Sequence, residues 1–465
     1  MKFGGTSMGS ADRIRAAAHL SAEQHSNRPV AIVVSAMSKV TDLLLDTLNK
    51  AEAGNEAGLN DNLSTLTAKH IEAVRGLFAE DRQEQAILDL LQIAAEFARL
   101  ARGMLLLREC PPRSVDEAIS TGEKLSAFLI AGYLNSQGIA AQAVNAADVI
   151  ATDAVFGNAT PLMEPTRERA AKVLQPLFDQ HVLPVITGFN ASTLDGRPTT
   201  LGRGGSDFSA SILASALDAS ELWIWSDVDG IMSADPRLVP NAKVLSEVTY
   251  AEAAELAYNG AKVLHPRTLA PLAERSIPVW SKNSFAPDKP GTRIAPAFLS
   301  PDVVHGPRAV TSLREIAMVS LEPANASVDG TKIMAEALEA LARSGVELMV
   351  ITSSSYRQSF CFLVRQSELD RACEFLRESL ALELEHGYLK PIDINTDVSL
   401  LAVVGEGMRG TPGLAGRIFT AISRHNINII AIAQGSSELT IAIVVHRAGL
   451  EQAVRAIHEE CGMGL

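Results

Sequence analysis

The apolar positions of this chain change their period along its length, and those changes mark out the elements. Residues 29–35, PVAIVVS, form a continuous apolar, β-branched run without alternation, the pattern of a strand buried on both faces of a parallel sheet. Residues 182–186 (VLPVI) and 221–225 (ELWIW) repeat it. Helical spacing fills the intervals. It is found over 12–20, over 125–134, in the set Phe208, Ile212 and Ala216, and over 250–264. The polar stretch 55–108, with Ile87, Leu91, Ala94 and Ala98 on one face of its second helix, predicts a helical subdomain. Strands alternating with helices in this way predict an α/β domain built on a largely parallel sheet.

The character of the chain changes after the stretch 286–307, which is rich in proline and glycine and predicts a linker and a domain boundary. Beyond it, segments 316–364 and 398–445 each read as strand, loop, helix, strand, strand. The phrase SGVELMVIT at 344–352 answers HNINIIAIA at 425–433. The tail is therefore an internal repeat.

Composition narrows the function classes. A chain of 465 residues with 47% hydrophobic and 20% charged residues has the balance of a globular protein, not of a disordered or fibrous one. A net charge of −13 without a long basic run argues against nucleic acid or an anionic membrane as the main partner and leaves small molecules. Cys110, Cys361, Cys373 and Cys461 lack C-x-x-C spacing, so neither a disulfide framework nor a zinc site is expected. No apolar run reaches about 18 residues and the first residues lack a signal-peptide pattern, which predicts a cytoplasmic protein that does not enter a membrane.

The candidate chemistry lies in loops next to these elements. TTLGRGGSDFSA, 199–210, joins Gly202, Gly204 and Gly205 to the start of a helix through Ser206 and Asp207. Glycines before a helix N-terminus bring backbone N–H groups and a positive dipole end to an anion. Arg203 adds a planar fork for a carboxylate. At the other end of the domain, Lys2, Gly4, Gly5, Thr6 and Ser7 place a cation before a second glycine loop. This is not a Walker A loop, because no Gly-Lys pair occurs in the chain. Ser35, Lys39 and Thr41 follow the first buried strand, where open α/β sheets place ligands. Glu123, in STGEK at 120–124, opens a helix, and a solvated first-turn glutamate is the plainer alternative. Ser226, Asp227, Asp229 and Gly230 follow the strand 221–225, and Asp235-Pro236-Arg237 comes next. That loop suits a nucleotide, and its D-x-D-G start lacks the later glutamate of a calcium loop. Lys262 is a candidate phosphate ligand, whereas His265, beside Pro266, suits a structural role. Gly405, Gly407 and Gly410 imitate a dinucleotide fingerprint, but no acid occurs between Glu406 and Glu438 to take a ribose, so NAD is rejected.

Taken in order, KFGGTS at Lys2, SxxSxxT ending at Thr41, TGEKLS at Thr121, TLGRGGSD at Thr200, the run from Trp225, DPR at Asp235 and GAKVLHPR at Gly260 resemble aspartate kinase nearly from end to end. The wording, AIAQGSSE at Ala431 included, is most similar to the kinase half of the bifunctional aspartate kinase/homoserine dehydrogenases. The resemblance implies an amino-acid kinase fold over 1–300, a largely parallel sheet sandwiched by helices. Two ferredoxin-like βαββαβ ACT domains would follow, at 315–396 and 397–465, the second borrowing a strand from 308–314. It implies ATP with Mg²⁺ as cosubstrate, and no protein-held metal. Lys2 and Asp207 would be catalytic. Ser35, Thr41, Glu123, Arg203 and Ser206 would bind L-aspartate, Arg203 taking its α-carboxylate and Glu123 its ammonium. Lys2, Gly4, Gly5, Ser226, Asp227, Arg237 and Lys262 would hold ATP. An amino-acid effector, threonine or lysine, would act near Gln434, Asn426 and Ile427 in a homodimer or higher oligomer.

The same residues leave two rivals, another carboxylate kinase of this fold or an amino-acid sensor with a silent kinase domain. Two departures from the family wording stand out. Met232 replaces a tyrosine on the adenine side, and Ser353 replaces the glutamine of the first repeat. Serine lacks the reach and the paired donor and acceptor of an amide, and the first repeat's glycine-rich ligand loop reads PANASVDG at 323–330.

Overall fold

The computed structural model describes residues 1–261, 264–299, 306–324, 328–354, 359–408 and 410–464. Its contacts divide the chain into two compact units. One comprises Met1–Gly230, Ser246–Tyr250 and Leu264–Ala297, the other Ile231–Leu245, Ala251–Val263 and Phe298–Leu465. This division does not coincide with a single cut at residue 300. Ala234, Leu238 and Val239, in the first of the two short excursions, are buried in a core of the second unit with Leu401, Ile418 and Val454.

The first unit is organised on an eight-stranded sheet in the order Ala141–Val144, Leu183–Thr187, Ile32–Val34, Lys2–Phe3, Leu222–Ser226, Val279–Asn283, Thr292–Ala295, Glu247–Thr249. Every pairing is parallel except that of Val279–Asn283 with Thr292–Ala295. The unalternated apolar runs are its central strands. Phe3, Ile32, Val34, Leu183 and Val185 are fully buried, and Phe3 stacks on Trp225 with ring centroids 6.2 Å apart. The helices Ala11–His25 and Thr121–Ser136 pack on one face, and Met163–Asp179, Gly205–Ala216 and Pro266–Arg275 on the other. The polar stretch 55–108 forms the helices Glu56–Leu77 and Glu80–Leu107, which pack through Leu59, Leu66, Leu90 and Phe97. A three-stranded sheet, Ala151–Thr152, Asn190–Thr193 and Pro198–Thr200, carries the chain to the glycine loop.

Two expectations need correction. The stretch 286–307 is not wholly a linker, since Thr292–Ala295 pairs with strands on both sides. The helix expected over 250–264 is observed as Tyr250–Tyr258, and residues 262–263 lie outside the described residues.

The second unit holds a six-stranded antiparallel sheet in the order Val350–Ser353, Phe360–Arg365, Ala309–Leu321, Asp393–Val404, Thr440–His446, Ile429–Gln434. Its two long central strands are each shared. Ala309 to Leu313 pair with Val404 to Leu400, whereas Ile316 to Leu321 pair with Arg365 to Phe360, and the register shifts between Leu313 and Ile316. Each half of the sheet is thus a βαββαβ unit that borrows its last strand from the other's first. The helices Gly330–Ser344 and Leu369–Ser379 cover one half, and Leu414–Ser423 and Leu450–Glu460 the other. Among the described residues, no helix is long and apolar enough to cross a membrane.

Candidate active site

At the carboxyl ends of the parallel strands, the first unit opens into a cleft of about 630 Å³. Its lining includes Lys2, Gly5, Ser35, Thr41, Glu123, Arg203, Ser206 and Asp207. Every residue expected to touch an amino-acid substrate is therefore gathered in one place. The convergence follows from the fold, since each residue lies in or just beyond a strand end, or in the first turn of a helix that starts there.

Lys2 is only 7% exposed, and its ammonium pairs with Asp207 Oδ1 at 2.5 Å. Asp207 stands in the first turn of Gly205–Ala216, and Gly204 caps that helix with φ of 70°. A side chain there would be strained, so glycine lets the loop turn into the helix with Arg203 at the exposed rim. Gly5 allows a close approach of another kind, because a Cβ on it would lie 3.1 Å from the Ala36 carbonyl oxygen.

Glu123 is not the solvated first-turn residue of the plainer reading. It is 3% exposed, and one carboxylate oxygen accepts the Ala36 N–H at 3.2 Å while the other, Oε2, has no hydrogen-bond partner. Burial pushes its pKa up to about 8, against the opposing pull of the Ala36 N–H, its own backbone N–H and Lys2. A buried carboxylate oxygen without a donor is costly and calls for one.

Sequence reasoning missed Asp116. This 1% exposed carboxylate lines the cleft and accepts from the Gly157 N–H at 2.8 Å, the Thr200 N–H at 2.9 Å and the Thr200 hydroxyl at 2.8 Å. It ties the base of the glycine loop to the segment beside it, and Arg267 ties the same two segments through the Ala159 and Leu201 carbonyls. The acid in SVDEAIS at 114–120 was visible in the sequence, but its partners were not.

The nucleotide-side expectations are less fully gathered. Gly4 donates its N–H to the Trp225 carbonyl at 3.2 Å, so that amide serves the sheet and not a phosphate. Ser226 and Asp227 lie at the end of the adjacent strand, outside the cleft's lining. Beside them, Asp229 holds Asn283 and Lys289, each at 2.6 Å, and Ser284 bonds both Ser7 and the Ser226 carbonyl. Arg237 belongs to the second unit and is paired with Asp235 at 2.6 Å. Lys262 lies outside the described residues. His265 has the structural role expected of it: Nδ1 accepts the Arg267 N–H and caps Pro266–Arg275.

In the second unit, Gln434 helps to line a cavity of about 360 Å³ with Gly410, Thr411, Gly413 and the start of the helix Leu414–Ser423. Asn426 and Ile427 do not line it. Asn426 turns the chain with φ of 56°, and Ile427 packs on the adjacent core. Ser353 ends a strand of the first repeat, whose ligand-loop stretch 323–330 is described except for 325–327.

The first unit thus carries a largely parallel sheet with glycine loops at its carboxyl ends, and the second carries paired βαββαβ units. Residues 1–283 match the amino acid kinase family model and 401–461 an ACT domain model. The chain belongs to the amino acid kinase family, in its aspartokinase branch. It is 35% identical over 463 residues to the bifunctional aspartokinase/homoserine dehydrogenase 1 of Arabidopsis thaliana, covering 98% of this chain and 50% of that one. It therefore spans about half the length of the first such relatives. It is 31% identical to lysine-sensitive aspartokinase 3 of Escherichia coli, with 98% and 97% covered. The structure superposes on E. coli aspartokinase III in complex with aspartate and ADP at a TM-score of 0.84, with 29% identity and 99% and 98% of the two chains covered. On that enzyme's complex with lysine and aspartate the TM-score is 0.80, at the same identity and coverage.

Proposed function

We propose that this chain transfers the γ-phosphoryl group of ATP to the β-carboxylate of L-aspartate, giving ADP and 4-phospho-L-aspartate, the entry to lysine, threonine and methionine synthesis. The observation that carries the reading is the bare Oε2 of Glu123, buried in the same cleft as Arg203 and Lys2. Glu123 takes the ammonium of the amino acid and Arg203 its α-carboxylate, which leaves the β-carboxylate to face the phosphoryl donor. That carboxylate is already ionised near neutral pH and needs no general base. One of its oxygens forms the new bond to the γ-phosphorus as the bridging P–O bond to ADP breaks.

The barrier is repulsion between anions. Lys2, held in line by Asp207, and the loop amides offset it, with Ser35, Thr41 and Ser206 completing the pocket. Mg²⁺ bound with the phosphates would supply further neutralisation of their charge. Magnesium is commonly held by phosphates, water and one or two carboxylates. Asp207 fits that donor set, and no cluster of three or more His, Cys, Asp or Glu is placed to hold a metal alone among the described residues.

Feedback by threonine or lysine acting at the Gln434 cavity in a dimer, and a place in the cytoplasm, belong to the same reading. The aspartate, ADP and lysine named for the E. coli structures support it. The test is ADP release measured with aspartate, with glutamate and with no acceptor. Release that depends on aspartate is expected, and release equal in all three refutes it.

A further inference from the structure

Lys39 follows the strand Ile32–Val34 and lines the cleft with Lys2 and Arg203. Three observations set it apart. It takes the left-handed backbone conformation, φ 64° and ψ 6°, at the N-cap of the helix Val40–Glu52, where glycine would be unstrained. Its ammonium is exposed and has no hydrogen bond or ion pair among the described residues, although Asp42 lines the same cleft. Lys69 braces the turn from behind, donating to the Ser38 carbonyl at 2.5 Å, and its pKa is lowered by burial and then by Lys39, so the two cations are neighbours. Lys39 is exposed and lines the cleft, so its ammonium, with a second cation beside it, favours an anion there.

We propose that Lys39 is a substrate-binding residue that engages a carboxylate of the acceptor amino acid. The inference rests on the aspartate kinase reading. The acceptor is chosen over ATP because Lys39 lies in the turn between Ser35 and Thr41, two residues of the acceptor pocket, whereas Ser226 and Asp227 of the nucleotide side lie outside the cleft's lining. Lys39 thus adds to the grip of Arg203 on the acceptor's negative charge.

Two variants test this, Lys39→Gly, which keeps the turn and relieves its strain, and Lys39→Met, which keeps the bulk. Both are expected to raise the aspartate KM by about tenfold or more, the scale of a lost charge-assisted hydrogen bond. The ATP KM should stay within about twofold, and Lys39→Gly should melt no lower than the parent. The aspartate KM of the parent should also rise with salt more steeply than that of either variant. A parent that phosphorylates aspartate with variants unchanged in aspartate KM overturns this inference alone. So does an ATP KM that rises as much as that for aspartate. A parent without aspartate-dependent ADP release overturns the functional reading and this inference with it.

Discussion

If Glu123 must be ionised to receive the ammonium of aspartate, substrate binding has to remove a proton that burial keeps on it. With the carboxyl pushed up to about 8, only about one tenth of free enzyme is ready to bind at pH 7, and apparent affinity falls by that fraction. Between pH 7 and 8.5 the ionised fraction rises from about 0.1 to about 0.75, so the aspartate Kd should fall about eightfold. Calorimetry in two buffers of different ionisation enthalpy should find close to one proton released per aspartate bound at pH 7, and little at pH 8.5. Glu123→Gln keeps the shape and removes the titration. Its aspartate affinity should lie about 10- to 100-fold below the parent's high-pH value and stay flat across the window.

The stability of the free enzyme carries the same signature. Between the ordinary value of 4.5 and about 8, the folded protein holds a proton that the unfolded chain has released, so stability falls as pH rises through that window. Glu123→Gln should lack this part of the slope. An aspartate affinity in the parent that does not change with pH, or a glutamine variant with the parent's slope, would refute the assignment of Glu123 to the ammonium.

Three further outcomes are expected. Lys2→Ala should lower kcat by roughly 10²–10³ while the aspartate KM changes less, as when one preorganised stabiliser of developing charge is removed; a near-normal kcat in steady-state assays removes Lys2 from the transfer step. Arg203→Lys keeps the charge and loses the fork, so the aspartate KM should rise strongly with little change for ATP, and equal losses would move Arg203 to the nucleotide side. Gln434→Ala should raise the inhibitory concentration of threonine or lysine by about 5- to 150-fold with uninhibited kcat unchanged, while Ser353→Ala does almost nothing; equal desensitisation by the two would mean that the first repeat also binds effector.

The cleft was legible in the sequence to the extent that its chemistry is local. Arg203, Ser206 and Asp207 sit beside glycines that turn a loop into a helix and open its amides to a ligand, and Ser35 and Thr41 follow an apolar run that reads as an interior strand. What the sequence could not reveal depends on which distant segment supplies the partner. Asp116 reads as an ordinary acid of a short helix until Thr200, 84 residues on, turns its amide and hydroxyl toward it. Glu123 reads as a capping charge until Ala36 and the sheet close over it. Thr292–Ala295 was hidden by the prolines and glycines on either side, and it becomes a strand because Val279–Asn283 and Glu247–Thr249 offer it two open edges.

These cases share a cause. An apolar side chain is indifferent to which apolar neighbour buries it, so periodicity alone predicts that it will be buried. A buried carboxylate instead needs particular donors at about 2.8 Å, and their place in the chain is set by topology. Strand runs could therefore be read directly, whereas the state of each acid had to await the fold. At Glu123 that state carries the proposed chemistry, in which the oxygen left bare by Ala36 receives the ammonium.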